Sequence, residues 1–598
     1  MAQSKHCRTG WEDVKLFLTL FVCTVFSPLA LAKETASQTP CTVGREAFIW
    51  AAPQRPSLGQ PLRVKAVAIR GIGHELIAWD PKGRKLALKV VNRGGPPENL
   101  TAEIPRPESG NYRIELLRQG KPIGCRQIVM DGSGAGPTTP REWNEESEAF
   151  YAAWVEQLFD VPLGQDLNLS SLTPLLRNPE RNFLYNYADH GEDAGIDITP
   201  DCADLPYVLR AYFAWKLELP MGFRECGRGA AGAPPRCGPP TMQARSGNTR
   251  FSETSKLLMD TVHSGSARTA LRDNATDYYP VELSRAALRP GTVFADPYGH
   301  VLILAKWVPQ TDTRGGQLLA VDAQPDNTVS RKRFWEGTFL FANDVPDAGP
   351  GFKAFRPLVQ SGGTIRPLSN AELSGGQYGT PYSIEQAHMT AEDFYARMAK
   401  LINPQGLDPV QAYEETLNAL VEQLEARVGS VNNGERYVRE NPHTLVSMPD
   451  GADIFQTTGP WEDYATPSRD MRLIIAMRVL SDLPQQITRH PELFLLKGRS
   501  TNAARSEVEK LHAKRIRERG ITYLRSDGSE WQLTVAEILA RKAALEVAYN
   551  PNDCAERRWG ARPGTEEYSP CTRKAPADQE ARMQTYRHWF HEGRRPPA

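Results

Sequence analysis

The chain has 598 residues, more than one hydrophobic core can organise, so about three or four domains are expected. Its 71 basic and 71 acidic side chains cancel, and 40% of its residues are hydrophobic. This is the composition of an ordinary globular protein, and it excludes the strongly basic footprint that draws a chain to nucleic acid or to an anionic membrane.

Lys5, His6, Arg8 and Lys15 precede an apolar run at 16–26, followed by Ser27-Pro28 and then Ala30-Leu31-Ala32. A basic start, a short apolar stretch and an Ala-x-Ala ending predict a cleavable signal peptide over 1–32. The run falls short of the ~20 apolar residues that span a bilayer, and no later segment is apolar enough to do so. The mature chain is therefore expected in the periplasm or secreted, where thiols pair. Of the nine cysteines, Cys7 and Cys23 leave with the signal. Spacing pairs Cys41 with Cys125, Cys226 with Cys237 and Cys554 with Cys571, which leaves Cys202 over.

Residues 41–131 read as strands. The runs at 62–69, 85–90 and 111–117 alternate apolar and polar positions, and Gly/Pro clusters such as Gly94-Gly-Pro-Pro97 punctuate them. The pattern resembles immunoglobulin-like β-sandwich modules of exported enzymes, with the role of a spacer or docking unit. A Gly- and Pro-rich linker over 132–140 leads to a central domain over 140–355. There Phe150, Trp154, Leu158 and Phe159 mark one helical face, and Leu205, Val208, Leu209, Tyr212 and Trp215 mark another. Strands are expected at 291–295, 300–307 and 317–322. A second linker is read at Ser361-Gly-Gly363 and Ser374-Gly-Gly376. Beyond 383 the chain reads as a helical domain to 598, with helices at 390–402, 408–428, 468–483, 502–519 and 534–549. The expected fold class is multidomain α+β.

The residue that stands out is Cys202. Asp201 is placed to cap the helix that follows, with Asp204 three residues on, as in a capping box. A sulfur in that first turn faces unsatisfied N–H groups and the positive end of the helix dipole, which would lower its pKa and supply donors for an oxyanion. The alternative is a free, buried thiol. A cysteine nucleophile also needs a base and a group to orient it. His300 opens one apolar strand and Asp322 ends the next, so two paired strands would set the imidazole beside the carboxylate.

The segments "DCADLPYVLRAYFAWKLELP", "LRPGTVFADPYGHVLILAKW" and "LLAVDAQPDNTVSRKRFW" resemble, in order, the motifs of NlpC-type cell-wall peptidases. The resemblance covers about 150–345. It implies a papain-like domain with Cys202 as nucleophile, His300 as base and Asp322 as orienter, acting on peptidoglycan peptides. Two departures are plain. Ala203-Asp204 stands where the family has Ser-Gly, and the distance to His300 requires an insertion over 224–280. Asp322 also resembles the ending of the transglutaminase-like branch of the papain superfamily, so a protein substrate stays open, as does a non-catalytic binding role. Tyr185 and Tyr187 are read as structural. Gly227-Arg-Gly-Ala-Ala-Gly232 matches a dinucleotide fingerprint only by letters. No zinc or calcium motif is present, and no cofactor is implied. Trp461, Trp531 and Trp559 are weighed as a sugar- or peptide-binding surface against core packing.

Overall fold

The alternating run at 62–69 folds as a strand because one side faces a core and the other a neighbouring layer. The computed structural model describes residues 41, 46–130, 142–165, 167–229, 233–243, 251–297, 299–324, 327–342, 349–361, 363–455 and 459–595. The expected signal peptide and the whole of the first linker lie outside the described residues. β1 (Ala47–Ala52), β2 (Leu62–Ala68), β3 (Glu75–Trp79), β4 (Val91–Arg93), β5 (Glu98–Ile104), β6 (Asn111–Arg118) and β7 (Lys121–Val129) form two antiparallel sheets. Their orders are β1-β2-β5-β4 and β3-β6-β7. Val64, Leu100, Ile114, Leu116 and Ile128 fill the space between them, and a disulfide joins Cys41 to Cys125 on β7. The run at 85–90 is not a strand. Leu86, Leu88 and Val90 pack against this core, but the segment makes a single bridge, Lys85 to Trp79. Its alternation records one-sided burial, and ladder pairing begins only at Val91.

This first unit does not behave as a spacer. Trp50 and Val67 belong to the same core as Phe150, Trp154 and Phe213 of the next unit, and Trp50 stacks on Phe150 with ring centroids 4.1 Å apart. Polar groups are buried at the same seam. Lys65, fully buried, donates to Asn99 Oδ1 at 3.0 Å and to the Ala153 carbonyl at 3.4 Å, and Asn99 donates to Glu156 at 2.7 Å. Arg93 and Lys306 share Asp160 at 2.9 and 2.5 Å. The outward face of β1 and β2 is interior, so Trp50 and Val67 join the next core while the cations Arg63 and Lys65 on the same face find hydrogen-bond partners there. Trp50→Ala is therefore expected to cost about 3–5 kcal/mol, as large-to-small changes in cores do. Urea unfolding followed by fluorescence checks this, and a loss under 1 kcal/mol would mean the two units are only loosely joined.

The central unit carries α1 (Glu145–Leu158), β8 (Asn168–Leu169), α2 (Thr173–Leu176), α3 (Asp204–Lys216), the hairpin β9 (Met221–Cys226) and β10 (Cys237–Gln243), α4 (Phe251–Thr261) and α5 (Ser264–Ala267). A disulfide joins Cys226 to Cys237. Then come β11 (Tyr278–Pro280), β12 (Val293–Ala295), β13 (Val301–Val308), β14 (Gln317–Ala323), β15 (Val329–Arg333) and β16 (Gly351–Phe355). These strands and β8 make a seven-stranded antiparallel sheet, β11-β16-β12-β13-β14-β15-β8. Both faces are covered, which is why β13 reads as a nearly unbroken apolar run. Val293, Ile303 and Val321 meet the helical core of α1 and α3. Phe294, Leu302 and Leu304 meet Phe341, Phe394 and Met398 on the other side.

The second expected linker is structured. It forms the hairpin β17 (Leu358–Ser361) and β18 (Thr364–Pro367), followed by α6 (Asn370–Leu373). The buried Arg356 guanidinium ties it down, donating to the Leu368 carbonyl at 2.7 Å and to Asn370 Oδ1 at 2.9 Å. α7 (Ala391–Ile402) packs on the sheet through Phe394 and Met398, so packing does not change at residue 383. α8 (Pro409–Glu440), α9 (Pro460–Tyr464), α10 (Pro467–Arg489) and α11 (Thr501–Glu518) form the helical region. Its core includes the stripe Tyr413, Leu417, Leu420 and Leu424. The helix expected at 534–549 is two short turns, preceded by the hairpin β19 (Gly520–Leu524) and β20 (Glu530–Thr534). A disulfide joins Cys554 to Cys571. Trp461 and Trp559 are buried, and Trp531 packs against the helical core, so the three tryptophans form no surface. No helix among the described residues is long and apolar enough to cross a membrane.

Candidate functional site

Asp201 builds the turn that presents the cysteine. Its Oδ1 accepts the N–H groups of Ala203 at 2.8 Å and Asp204 at 2.9 Å, while Asp204 Oδ2 accepts the Asp201 N–H at 3.2 Å. The Leu205 N–H donates to the Asp201 carbonyl at 3.0 Å, so helical bonding starts there although regular helix begins at Asp204. Cys202 sits half-buried inside this turn and is the free cysteine of the described residues. Its sulfur accepts the backbone N–H of Val301, the residue after His300. The start of α3 and the start of β13 thus meet at the thiol.

His300 is delivered by a tight turn. The Asp296 N–H donates to the His300 carbonyl at 2.8 Å and the Gly299 N–H to the Asp296 carbonyl at 3.2 Å. Gly299 has φ +97°, which an L side chain rarely adopts. Across the strand pair, His300 Nε2 lies 3.1 Å from Asp322 Oδ2. The imidazole is 21% exposed and the carboxylate 2%, so the ring opens to solvent while the carboxylate stays interior. Ser330 Oγ donates to Asp322 Oδ1 at 2.9 Å and Gln324 to Oδ2 at 2.6 Å. Burial works against the charged carboxylate, but the nearby Lys332 cation and the hydrogen bonds from His300 and Ser330 outweigh it and hold Asp322 below the usual carboxylate range.

The thiol departs from expectation. Burial first, and the charge of Asp201 second, push Cys202 up, with only the Val301 N–H opposing. The N–H groups meant to depress it are spent on Asp201. Cys202 therefore rests as a neutral thiol, and the N–H groups of Ala203 and Asp204 are already taken by Asp201. Burial and Asp201 also raise the Asp204 carboxyl, so the two acids carry less than two charges near neutral pH.

Two neighbours left no local signal in the sequence. Arg472 of α10 donates to Asp296 at 2.5 Å and to the Thr338 carbonyl at 3.2 Å, pinning the His300 turn from the helical region. His263 caps α5 and lies 2.7 Å from the Cys226 carbonyl through Nε2. Tyr187 is buried in the core, and the Tyr185 carbonyl accepts Arg63 at 2.6 Å. The glycine-rich run from Gly227 follows strand β9, and the next element among the described residues is strand β10, joined to β9 by the Cys226–Cys237 bridge. Among the described residues, the group with metal-like spacing is Cys554, Glu556 and Cys571. Its two sulfurs are disulfide-bonded and supply no thiolate. No protein-family model and no curated protein matches the chain, so the reading of the site rests on the geometry above.

Proposed function

We propose that the chain is an exported papain-like cysteine hydrolase that cleaves amide bonds of peptidoglycan peptides. The observation that carries this reading is the meeting of Cys202 with the His300–Val301 corner, while His300 is held on a buried, ionised Asp322. A cysteine at the head of a helix, with His and Asp on successive antiparallel strands, follows the order of the NlpC-type motifs. The paired sheets of residues 46–130 suit an immunoglobulin-like module, and three disulfides suit an oxidising compartment.

Because an ionised carboxylate only accepts, Asp322 fixes the proton on His300 Nε2 and leaves Nδ1 as the base. Nδ1 takes the Cys202 proton as the sulfur attacks the amide carbon. The tetrahedral oxyanion is held by the Cys202 N–H, and His300 returns the proton to the departing amine. Water, deprotonated by His300, then attacks the thioester, releasing the acid and restoring the thiol. Asp322 as the third member favours a second reading, transfer of the acyl group to a protein amine.

Incubating the mature, oxidised protein with purified peptidoglycan should release new amino termini, detected by mass. Under the second reading, an added primary amine is incorporated into protein instead. Neither product above the Cys202→Ala control, on wall or protein substrates, would leave a binding protein.

A further inference from the structure

A cleft of about 970 Å³ opens where the sheet end at Gln317 and Leu318 meets α7, α8 and α10. It is separate from the cysteine site, since neither Cys202, His300 nor Asp322 lines it. α10 runs between the two. Arg472 braces the His300 turn, while Arg478, Asp482 and Arg489, further along the same helix, line the cleft. Its size is at the upper end of the roughly 300–1,000 Å³ typical of ligand pockets.

The wall combines an aromatic platform with double-headed polar groups. Trp335 lines the cleft while packing against the helical core. Its ring occupies the space beside Gly337, where a Cβ would come within 2.6 Å of it. Tyr395 lines the cleft too, its hydroxyl already engaged by the Phe339 carbonyl and the Phe341 N–H. Glu336, Arg478 and Asp482 line it as well, near enough for the charges of Arg478 and Asp482 to act on the Glu336 carboxyl. Burial, against the charge of Arg478, pushes the Glu336 carboxyl up to about 7. Near neutral pH Glu336 therefore offers both an O–H donor and an acceptor, the combination that a hydroxyl matches.

Two further facts narrow the ligand. Acidic and basic side chains nearly balance along the wall, so the cleft has no net field to select an ion. The strands that border it are already paired, with the Phe334 N–H on the Leu318 carbonyl at 2.8 Å and Gln317 opposite Val308. Among the described residues, neither of these strands offers a free edge there for an extended peptide. We infer that this cleft binds a neutral oligosaccharide, stacking a sugar ring on Trp335 and pairing vicinal hydroxyls with Glu336, Arg478 and Asp482. The C-terminal region would then hold a glycan beside the site that α10 braces.

The test uses the full mature protein with disulfides intact and Cys202→Ala in place, so that binding is read without turnover. The probes are the β-1,4-linked N-acetylglucosamine tetramer and cellotetraose, titrated by calorimetry and by tryptophan fluorescence. At least one should bind with a Kd between about 10 µM and 1 mM. Glu336→Gln and Arg478→Ala should each weaken it about tenfold or more, and Trp335→Ala should remove the fluorescence change. Arg478 is exposed and Glu336→Gln keeps the side chain's size, so these two variants carry the test if Trp335→Ala misfolds. No binding of either sugar at about 10 mM would overturn the inference. So would binding that survives both polar variants, or a short peptide that binds the cleft where the sugars do not. None of these outcomes depends on whether Cys202 is a nucleophile.

Discussion

Cys202→Ala is expected to keep its fold and to lose turnover by about 10⁴-fold or more. The cysteine is half-buried in a turn built by Asp201, not by its own side chain. Removing the sulfur forfeits one hydrogen bond, from the Val301 N–H, so the stability cost should be about 1 kcal/mol. A thiol that merely fills a core would behave oppositely, with a large drop in Tm and no catalytic change to measure. The same sulfur makes a pH statement. Since burial and Asp201 raise its pKa, alkylation of the wild-type protein by iodoacetamide should be slow at neutral pH. It should climb through and beyond the ordinary thiol value of ~8.5. A labelling rate that is already flat below about pH 7 would reveal a preformed thiolate–imidazolium pair and refute the resting neutral thiol. Calorimetry and mass-identified labelling together separate these cases.

The parts of the site that were legible in sequence are those with local causes. The Asp201–Asp204 cap depends on residues three apart, and the strands β12 to β14 announce themselves because a sheet covered on both faces must be apolar throughout. The cysteine pairs followed from spacing in an oxidising compartment. What stayed hidden has no local period. β16 inserts between β11 and β12 from residues about seventy further along the first of them. α7 looks like the first helix of a helical domain, and its stripe does not say that the surface it covers is the central sheet. Arg472 is an ordinary helical arginine until Asp296 is placed opposite it. The thiol shows the limit most clearly. Position at a helix start argued for a low pKa, but the capping carboxylate that creates the helix start also consumes the N–H groups and adds a negative charge. Burial first, and the charge of the same residue that made the site recognisable second, reverse its electrostatics.

Asp322→Asn should lower kcat by about 10⁴-fold with little change in KM. Asp322 is 2% exposed, and the ionised carboxylate accepts from three side chains, His300, Ser330 and Gln324. An amide at the same place turns one acceptor into a donor. Its Nδ2–H₂ can satisfy His300 Nε2 only if that nitrogen loses its proton, which moves the proton to Nδ1 and removes the base from the thiol. The fold is expected to survive, less stable at neutral pH by about 1–3 kcal/mol for the lost charge-assisted bonds. The sign of the pH dependence follows from the depressed carboxyl. Its stabilisation is fully present above the unfolded value of ~3.9 and is lost as pH falls through the lower folded value. Wild type and variant should therefore differ most in Tm near neutrality and converge in acid. A variant that keeps more than a tenth of the wild-type kcat would show that Asp322 holds the strand pair together and does not orient His300. A variant that is inactive yet equally distant in Tm at every pH would place the charge elsewhere, because only a carboxylate ionised in the folded state can produce the convergence.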